Sequence, residues 1–317
     1  MRARGHNACM STLHARHGLL LMIGGGVLLG TVGIPLEEAG QHALTAVWFR
    51  CLFGCMTLSV VLLLDGRLSD LKLQGRSLYI VLVTSLLMIL NWWLFFEAIH
   101  RTSIALATLV FHLQPFIVLA LGAWWFGDRV KPIQWVAVGV AIVGLALVSD
   151  VVPALTGMKS IAAEEWVGLL MCLIGAFCYA LVVMLTKLVQ TDRAKTSTEH
   201  KGPGTVLPKP IVLVWWQCAV GILVLGWWPL QQGFPSAPDA WAWLFALGVL
   251  NTGLAYVLLY AGISRLPSAR IALLQFVYPI TAVIVDGVVY GRVLDLLQSF
   301  GFVLMIVAIF ATVSVGD

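Results

Sequence analysis

Apolar residues in this chain gather in runs far longer than one buried face of a water-soluble helix requires. Ten such runs, at about 18–34, 43–64, 77–98, 102–126, 132–149, 165–186, 211–230, 240–263, 268–291 and 295–314, alternate with short polar stretches. About 20 apolar residues in helical geometry span a bilayer, so the pattern predicts an all-α integral membrane protein with ten transmembrane helices. One interval breaks the rhythm. Val189 to Pro210 is polar, carries Lys195, Lys201 and Lys209, and contains Gly202-Pro203-Gly204. That punctuation predicts a flexible loop over about 189–210, after the first helix of the second of two five-helix repeats, 1–150 and 165–317.

The halves carry a common pattern 164 residues apart. Arg101 to Asp128 reads RTSIALATLVFHLQPFIVLALGAWWFGD, and Arg265 to Arg292 reads RLPSARIALLQFVYPITAVIVDGVVYGR. Arg101 and Arg265, Pro115 and Pro279, and Gly127 and Gly291 fall in register. Earlier helices match more weakly, with Gly30 offset by 150 from Ala180. Five helices is an odd number, so a repeat of five enters the membrane in the opposite sense. The pattern therefore predicts two inverted repeats, a common device for alternating access.

Composition agrees with the membrane reading: charged residues make up only 11% of the 317, where an ordinary soluble domain has about 25%. With the N-terminus on the cytoplasmic side, ten crossings place fifteen basic residues inside and three (Arg101, Lys159, Arg292) outside, with Arg50 inside a helix. By the positive-inside rule this predicts both termini in the cytoplasm. The start, MRARGHNACMSTLHARHG, has the basic character of a secretory signal. No Ala-x-Ala-like cleavage site follows, so the segment is expected to remain as the first spanning helix.

The paired motifs, the five helices per half and the small-residue-rich first helix (GGGVLLGTVG) resemble EamA-type members of the drug/metabolite transporter superfamily, from about Leu19 to Val315. The resemblance implies a ten-helix fold in which helices one to four and six to nine line a central cavity while five and ten sit outside. It also implies a secondary active exporter of amino acids, related metabolites or drugs in a bacterial inner membrane; sugar and nucleotide-sugar carriers share the superfamily. The motif usually closes Gly-Glu. Here it closes Gly127-Asp128 in the first half and, with the charge reversed, Gly291-Arg292 in the second.

Polar groups inside membrane helices are costly and usually face a cavity or a partner helix. His112, Gln114, Gln275 and Tyr278 fall at matching depths of the fourth and ninth helices. Pro115 and Pro279 are placed to kink those helices, because proline lacks an N–H and frees a carbonyl in the preceding turn. An imidazole, two amides and a phenol suit a polar zwitterion or a carboxylate-bearing substrate, or else they simply bond neighbouring helices. Arg50 in the second helix has Gln217 as its counterpart, and its guanidinium would pair with a substrate carboxylate or with Glu97, or snorkel to the surface. Trp92, Tyr179 and Tyr256 lie deep enough to wall the cavity, with ordinary packing as the alternative. Glu97 and Asp286 are embedded carboxylates that burial could prime for proton coupling; an Arg50–Glu97 pair would argue against Glu97.

The remaining features narrow the function class. Cys51 and Cys55 share a helix face without a His or carboxylate beside them, so no metal site is expected; no cofactor is implied either. There is no HExxH, no GxSxG and no Walker A loop, so neither an enzyme nor a built-in ATP motor is expected. The basic loop is accounted for by topology rather than by nucleic acid. The expected partners are a small-molecule substrate, membrane lipid and protons. The glycines of the first helix serve packing within a monomer or a homodimer face.

Overall fold

In the computed structural model of the protein the described backbone comprises residues 2–102, 107, 110–148, 163–196, 208–291 and 293–314. The described side chains are those of 16–42, 44–95, 97–98, 101–102, 107, 110–148, 164–189, 208–285, 287–291 and 293–310. In hydrocarbon each backbone N–H and C=O needs a partner within its own segment, and the apolar runs accordingly fold as helices.

The helices of the first half are α1 (Arg2–Gly30), α2 (Gly33–Ala39), α3 (Ala43–Leu64), α4 (Gly75–Arg101), α5 (Gln114–Phe126) and α6 (Pro132–Val148). Those of the second are α7 (Ala163–Thr196), α8 (Pro210–Leu225), α9 (Trp227–Gln232), α10 (Pro238–Gly248), α11 (Ala255–Ile263), α12 (Ser268–Leu274), α13 (Val277–Tyr290) and α14 (Leu296–Ser314), with a π-helical segment at Val249–Leu254 between α10 and α11.

Among the described residues six helical stretches are long and apolar enough to cross a membrane: Arg16–Ala39, Leu44–Leu64, Gly75–Phe95, Glu164–Val189, Pro238–Ile263 and Ser268–Tyr290. Gln114–Phe126, Pro132–Val148, Pro210–Leu225 and Leu296–Phe310 are shorter apolar helices. Leu64, Leu223 and Val288 are each about four-fifths exposed. A surface studded with such side chains suits lipid rather than water, and the protein is a multi-pass membrane protein.

The structure departs from the hydropathy pattern in several of the ten runs. The first run breaks at 31–32, and its helix resumes as α2. The fourth and ninth runs are each interrupted at mid-length, at 112–113 and 275–276. The sixth helix continues to Thr196 instead of ending near 186, so the loop expected from 189 begins as helix. Hydropathy falls off there while helix propensity does not: Lys187-Leu188-Val189-Gln190 and Arg193-Ala194-Lys195 are mostly good helix formers. Residues 197–207 lie outside the described residues.

Packing between helices recurs in exchanged pairs. α4 runs along α7 as α1 runs along α11; α5 meets α7 as α13 meets α1; α8 meets α4 as α3 meets α10. The contacts α3–α8 and α6–α14 are their own images under exchange of the halves. Two of these seams depend on glycine. A Cβ on Gly144 would stand 2.6 Å from the Gly301 carbonyl oxygen, and one on Gly301 would stand 2.5 Å from that of Gly144. Thus α6 and α14 approach backbone to backbone, as small residues permit in membrane helices. Between α3 and α8 a Cys-x-x-Gly pair interlocks: Cys51 fills the hollow at Gly221, and Cys218 the hollow at Gly54.

Candidate functional site

The breaks in the fourth and ninth helices follow from their prolines. Pro115 and Pro279 donate no backbone hydrogen bond, and their rings crowd the carbonyls four residues earlier, at Phe111 and Gln275. The chain tightens instead: Leu113 N–H donates to Val110 O at 3.1 Å, and Phe276 N–H to Leu273 O at 3.0 Å. Each helix then restarts with its proline in the first turn, where a missing donor does little harm. Gln114 and Gln275 stand at these two breaks, and the Gln114 amide donates to the Gln275 amide oxygen across the boundary between the halves. Gln114 Oε1 and Gln275 Nε2 are buried without a protein partner.

Around this junction lies a cavity of about 190 Å³. Its wall includes all eight residues singled out from the sequence: Arg50, Trp92, His112, Gln114, Tyr179, Tyr256, Gln275 and Tyr278. The His112 imidazole lies parallel to the Tyr278 ring, 5.8 Å between centroids. Phe95 and Phe111 add further aromatic surface. The polar groups therefore concentrate at the helix breaks and at Arg50, with apolar walls between them.

Arg50 is 7% exposed. Its Nε donates to Thr252 Oγ1 at 2.9 Å, and its guanidinium carbon sits 4.6 Å from the Trp92 ring centroid and 6.0 Å from that of Tyr256. Thr252 belongs to the π-helical segment, whose wider turn is a common feature of functional sites. Its neighbour Asn251 donates to Thr31 Oγ1 at 2.9 Å and to the Leu28 carbonyl, fastening that segment to α1. Asn91 in α4 does the same to α7, donating to Gly175 O at 2.9 Å. The two asparagines stand 160 residues apart, and each is followed by a residue that touches Arg50.

Glu97 does not meet Arg50. It accepts from Arg101 one turn on, at 2.8 Å, with both side chains more than one-third exposed; it is not part of the cavity wall. The side chain of Asp286 lies outside the described residues. Thr252 and Asn251 were missed by the sequence reading, although two polar residues and a glycine inside an apolar run (Asn251-Thr252-Gly253) are the same kind of signal that identified Gln114.

A second polar cluster stands some 9–12 Å along the helices from the cavity, by the 1.5 Å rise from Leu274 back to Ser268 and from Tyr179 on to Lys187. Lys187 Nζ donates to Asp128 Oδ2 at 2.7 Å and to Ser268 Oγ at 2.8 Å. Ser268 N–H donates to the same carboxylate oxygen at 2.9 Å, and Nζ lies 4.4 Å over the Phe126 ring. Burial by itself raises the Asp128 pKa, but the hydrogen bonds from Lys187 and Ser268 outweigh it and leave the carboxyl below its ordinary 3.8. The cluster ties the end of α5 to α7 and to the start of α12.

The pattern of the EamA-like transporter family matches residues 16–150 and 203–314 of the chain. A Bacillus subtilis protein named "Uncharacterized transporter YxxF" is 25% identical over 280 residues, 88% of this chain and 84% of that one. "Uncharacterized transporter PA0485" of Pseudomonas aeruginosa is 23% identical and covers 95% of each chain. "Protein RarD" of Streptomyces exfoliatus is 23% identical over 84% of this chain and 78% of that one. A solved structure, titled "Crystal structure of protein", superposes with a TM-score of 0.74 over 92% of this chain and 94% of the other, at 17% identity, a likeness of fold. The chain belongs to the EamA-like transporter family, membrane proteins that carry small molecules from one side of a bilayer to the other.

Proposed function

We propose that the protein is a secondary active exporter in a bacterial inner membrane, moving a small amphipathic or amino-acid-like metabolite by alternating access. The observation that carries this reading is the junction at the cavity. Two interrupted helices, one from each half, meet through Gln114 and Gln275 beside a cavity with a buried cation in its wall. Unwound backbone at membrane depth is tolerated where it lines a cavity, and substrate sites of repeat-built transporters lie at such discontinuities.

Ten crossings in two inverted repeats, 1–150 and 165–317, fit the six long and four shorter apolar helices. The exchanged-pair packing supports two equivalent halves related by a pseudo-twofold axis, and five helices per half, an odd number, favour an axis in the membrane plane. The fifteen-to-three distribution of basic residues favours cytoplasmic termini. In that orientation the Lys187–Asp128–Ser268 cluster lies toward the cytoplasm, and the conformation is one closed at that end. Glu97 loses standing as a proton-coupling group because Arg101 pairs with it away from the cavity; the coupling proposal passes to Asp286.

The test compares metabolites released by cells with and without the gene, followed by uptake into inside-out vesicles with and without a pH gradient. A metabolite lost from the medium of the deletion strain and accumulated by the vesicles is expected. Vesicles whose uptake of every such metabolite is independent of the protein would refute export. Gradient-dependent uptake that survives unchanged in Asp286→Asn and in Glu97→Gln, at equal protein level, would remove both carboxylates from coupling.

A further inference from the structure

A guanidinium in the membrane interior normally has a carboxylate beside it, since an uncompensated buried charge is strongly unfavourable. Among the described residues the ion pairs are Arg67 with Asp65 and Asp70, Arg101 with Glu97, Lys187 with Asp128, and Lys209 with Asp70. None involves Arg50. Among the described residues its hydrogen-bond partner is a neutral hydroxyl, Thr252, and its guanidinium carbon sits over the Trp92 ring. Among the described residues, moreover, the wall of the cavity contains no aspartate or glutamate.

These facts select by charge. Resting on the transporter reading of the cavity, we infer that its ligand is a monovalent organic anion with a ring-sized apolar body, the carboxylate seated on Arg50 and the body against Trp92, Tyr256, Phe95 and Phe111. Arg50 holds two terminal nitrogens in a fixed plane, a geometry that matches a carboxylate. The surrounding aromatic wall accepts a flat apolar body. In the same wall, Gln275 Nε2 and Gln114 Oε1 are a buried donor and acceptor without a protein partner, suited to one polar substituent of the ligand. An ammonium finds no counter-charge among the described residues of this wall. A zwitterion therefore gains the contact with Arg50 but loses hydration at its other end with only aromatic faces in return, and a cation meets the repulsion of Arg50.

Four isosteric probes separate these cases: 3-phenylpropanoate, 3-phenylpropanamide, 3-phenylpropylamine and phenylalanine, each titrated into the purified full-length protein by calorimetry. The anion should bind at least about tenfold more tightly than the amide, as expected for a hydrogen-bonded charge exchanged for a neutral group, and more tightly than phenylalanine; the amine should show no binding. Arg50→Gln should abolish the preference for anion over amide, and Arg50→Lys should retain part of it. Amide binding equal to the anion, or zwitterion or amine binding as tight as the anion, overturns the inference on the wild-type protein alone, whatever the variants do. No heat from any of the four at millimolar concentration overturns it as well. If phenylalanine binds best and is carried into protein-containing liposomes, the charge selection fails while the transporter reading stands.

Discussion

Replacing Asp128 with asparagine should loosen the end of the molecule where α5, α7 and α12 are tied together. The Lys187 side chain is 8% exposed and that of Asp128 21%, so this is a buried pair with one side near water. Removing one partner of a fully buried pair costs about 3–5 kcal/mol. Asp128→Asn removes the counter-charge and leaves the better-buried charge, Lys187, with only neutral acceptors, Ser268 Oγ and the new amide oxygen, and we expect about 3 kcal/mol. Lys187→Met leaves Asp128 with the Ser268 N–H and partial hydration, and should cost less, about 2 kcal/mol after allowing for that exposure. In a conformation open at this end both charges would reach water, so the loss falls on the closed state alone. At about 1.4 kcal/mol per tenfold, Asp128→Asn should shift the balance toward the open form about 100-fold. The assay is maleimide labelling of Leu274→Cys, a buried cavity residue, in a cysteine-depleted background in inside-out vesicles. Labelling should accelerate most in Asp128→Asn, less in Lys187→Met, and return toward the parent rate in the double variant. Rates within about twofold of the parent in both single variants, well short of those shifts, would refute the argument. Because the folded carboxyl has a lowered pKa, its contribution is complete above the ordinary 3.8 and disappears as pH falls through the lowered value. The parent rate should therefore owe nothing to Asp128 titration between about pH 5 and 8.

Other expectations are independent of the gate. Gly301→Leu drives a side chain into the Gly144 carbonyl and should lower stability by about 1–3 kcal/mol, read as a reduced melting temperature at unchanged probe affinity; an unshifted melting curve would discount the α6–α14 seam. Asn91→Leu removes the donor to Gly175 O and should cost about 1–3 kcal/mol in the same assay, with equal loss for Asn251→Leu if the two are equivalent. Asp70 is held below its ordinary 3.8, first by the Lys209 hydrogen bond, so the tie between the 65–74 loop and the start of α8 should survive acidification to about pH 4 and fail below it. Proteolysis of this loop should show that pH dependence in the parent, and Asp70→Asn should abolish it.

Much of this protein was legible because lipid makes polarity conspicuous. Gln114, Gln275 and Arg50 stand out in runs of leucine and valine, and a side chain that lipid would reject has few places to go but a cavity. The prolines predicted the breaks at 112–113 and 275–276, since a missing donor acts locally. Partners were another matter. Arg50 and Thr252 are 202 residues apart, and nothing in either segment states that the π-helical turn will present a hydroxyl to that guanidinium. Lys187 read only as an inside charge; its bond to Asp128 joins the two halves of the chain. The end of the sixth helix was misplaced because hydropathy reports where lipid stops, which is not where helix stops.

The most direct test of the account concerns the sense of the two repeats. Arg101→Cys and Arg265→Cys, at equivalent positions of the twin motif and both exposed, are to be labelled in a cysteine-depleted background by an impermeant maleimide, in spheroplasts and in inside-out vesicles. Inverted five-helix repeats predict that residue 101 reacts only from the outer face and residue 265 only from the cytoplasmic face. Labelling of both from the same face would contradict the inversion, and with it alternating access by exchange between the halves.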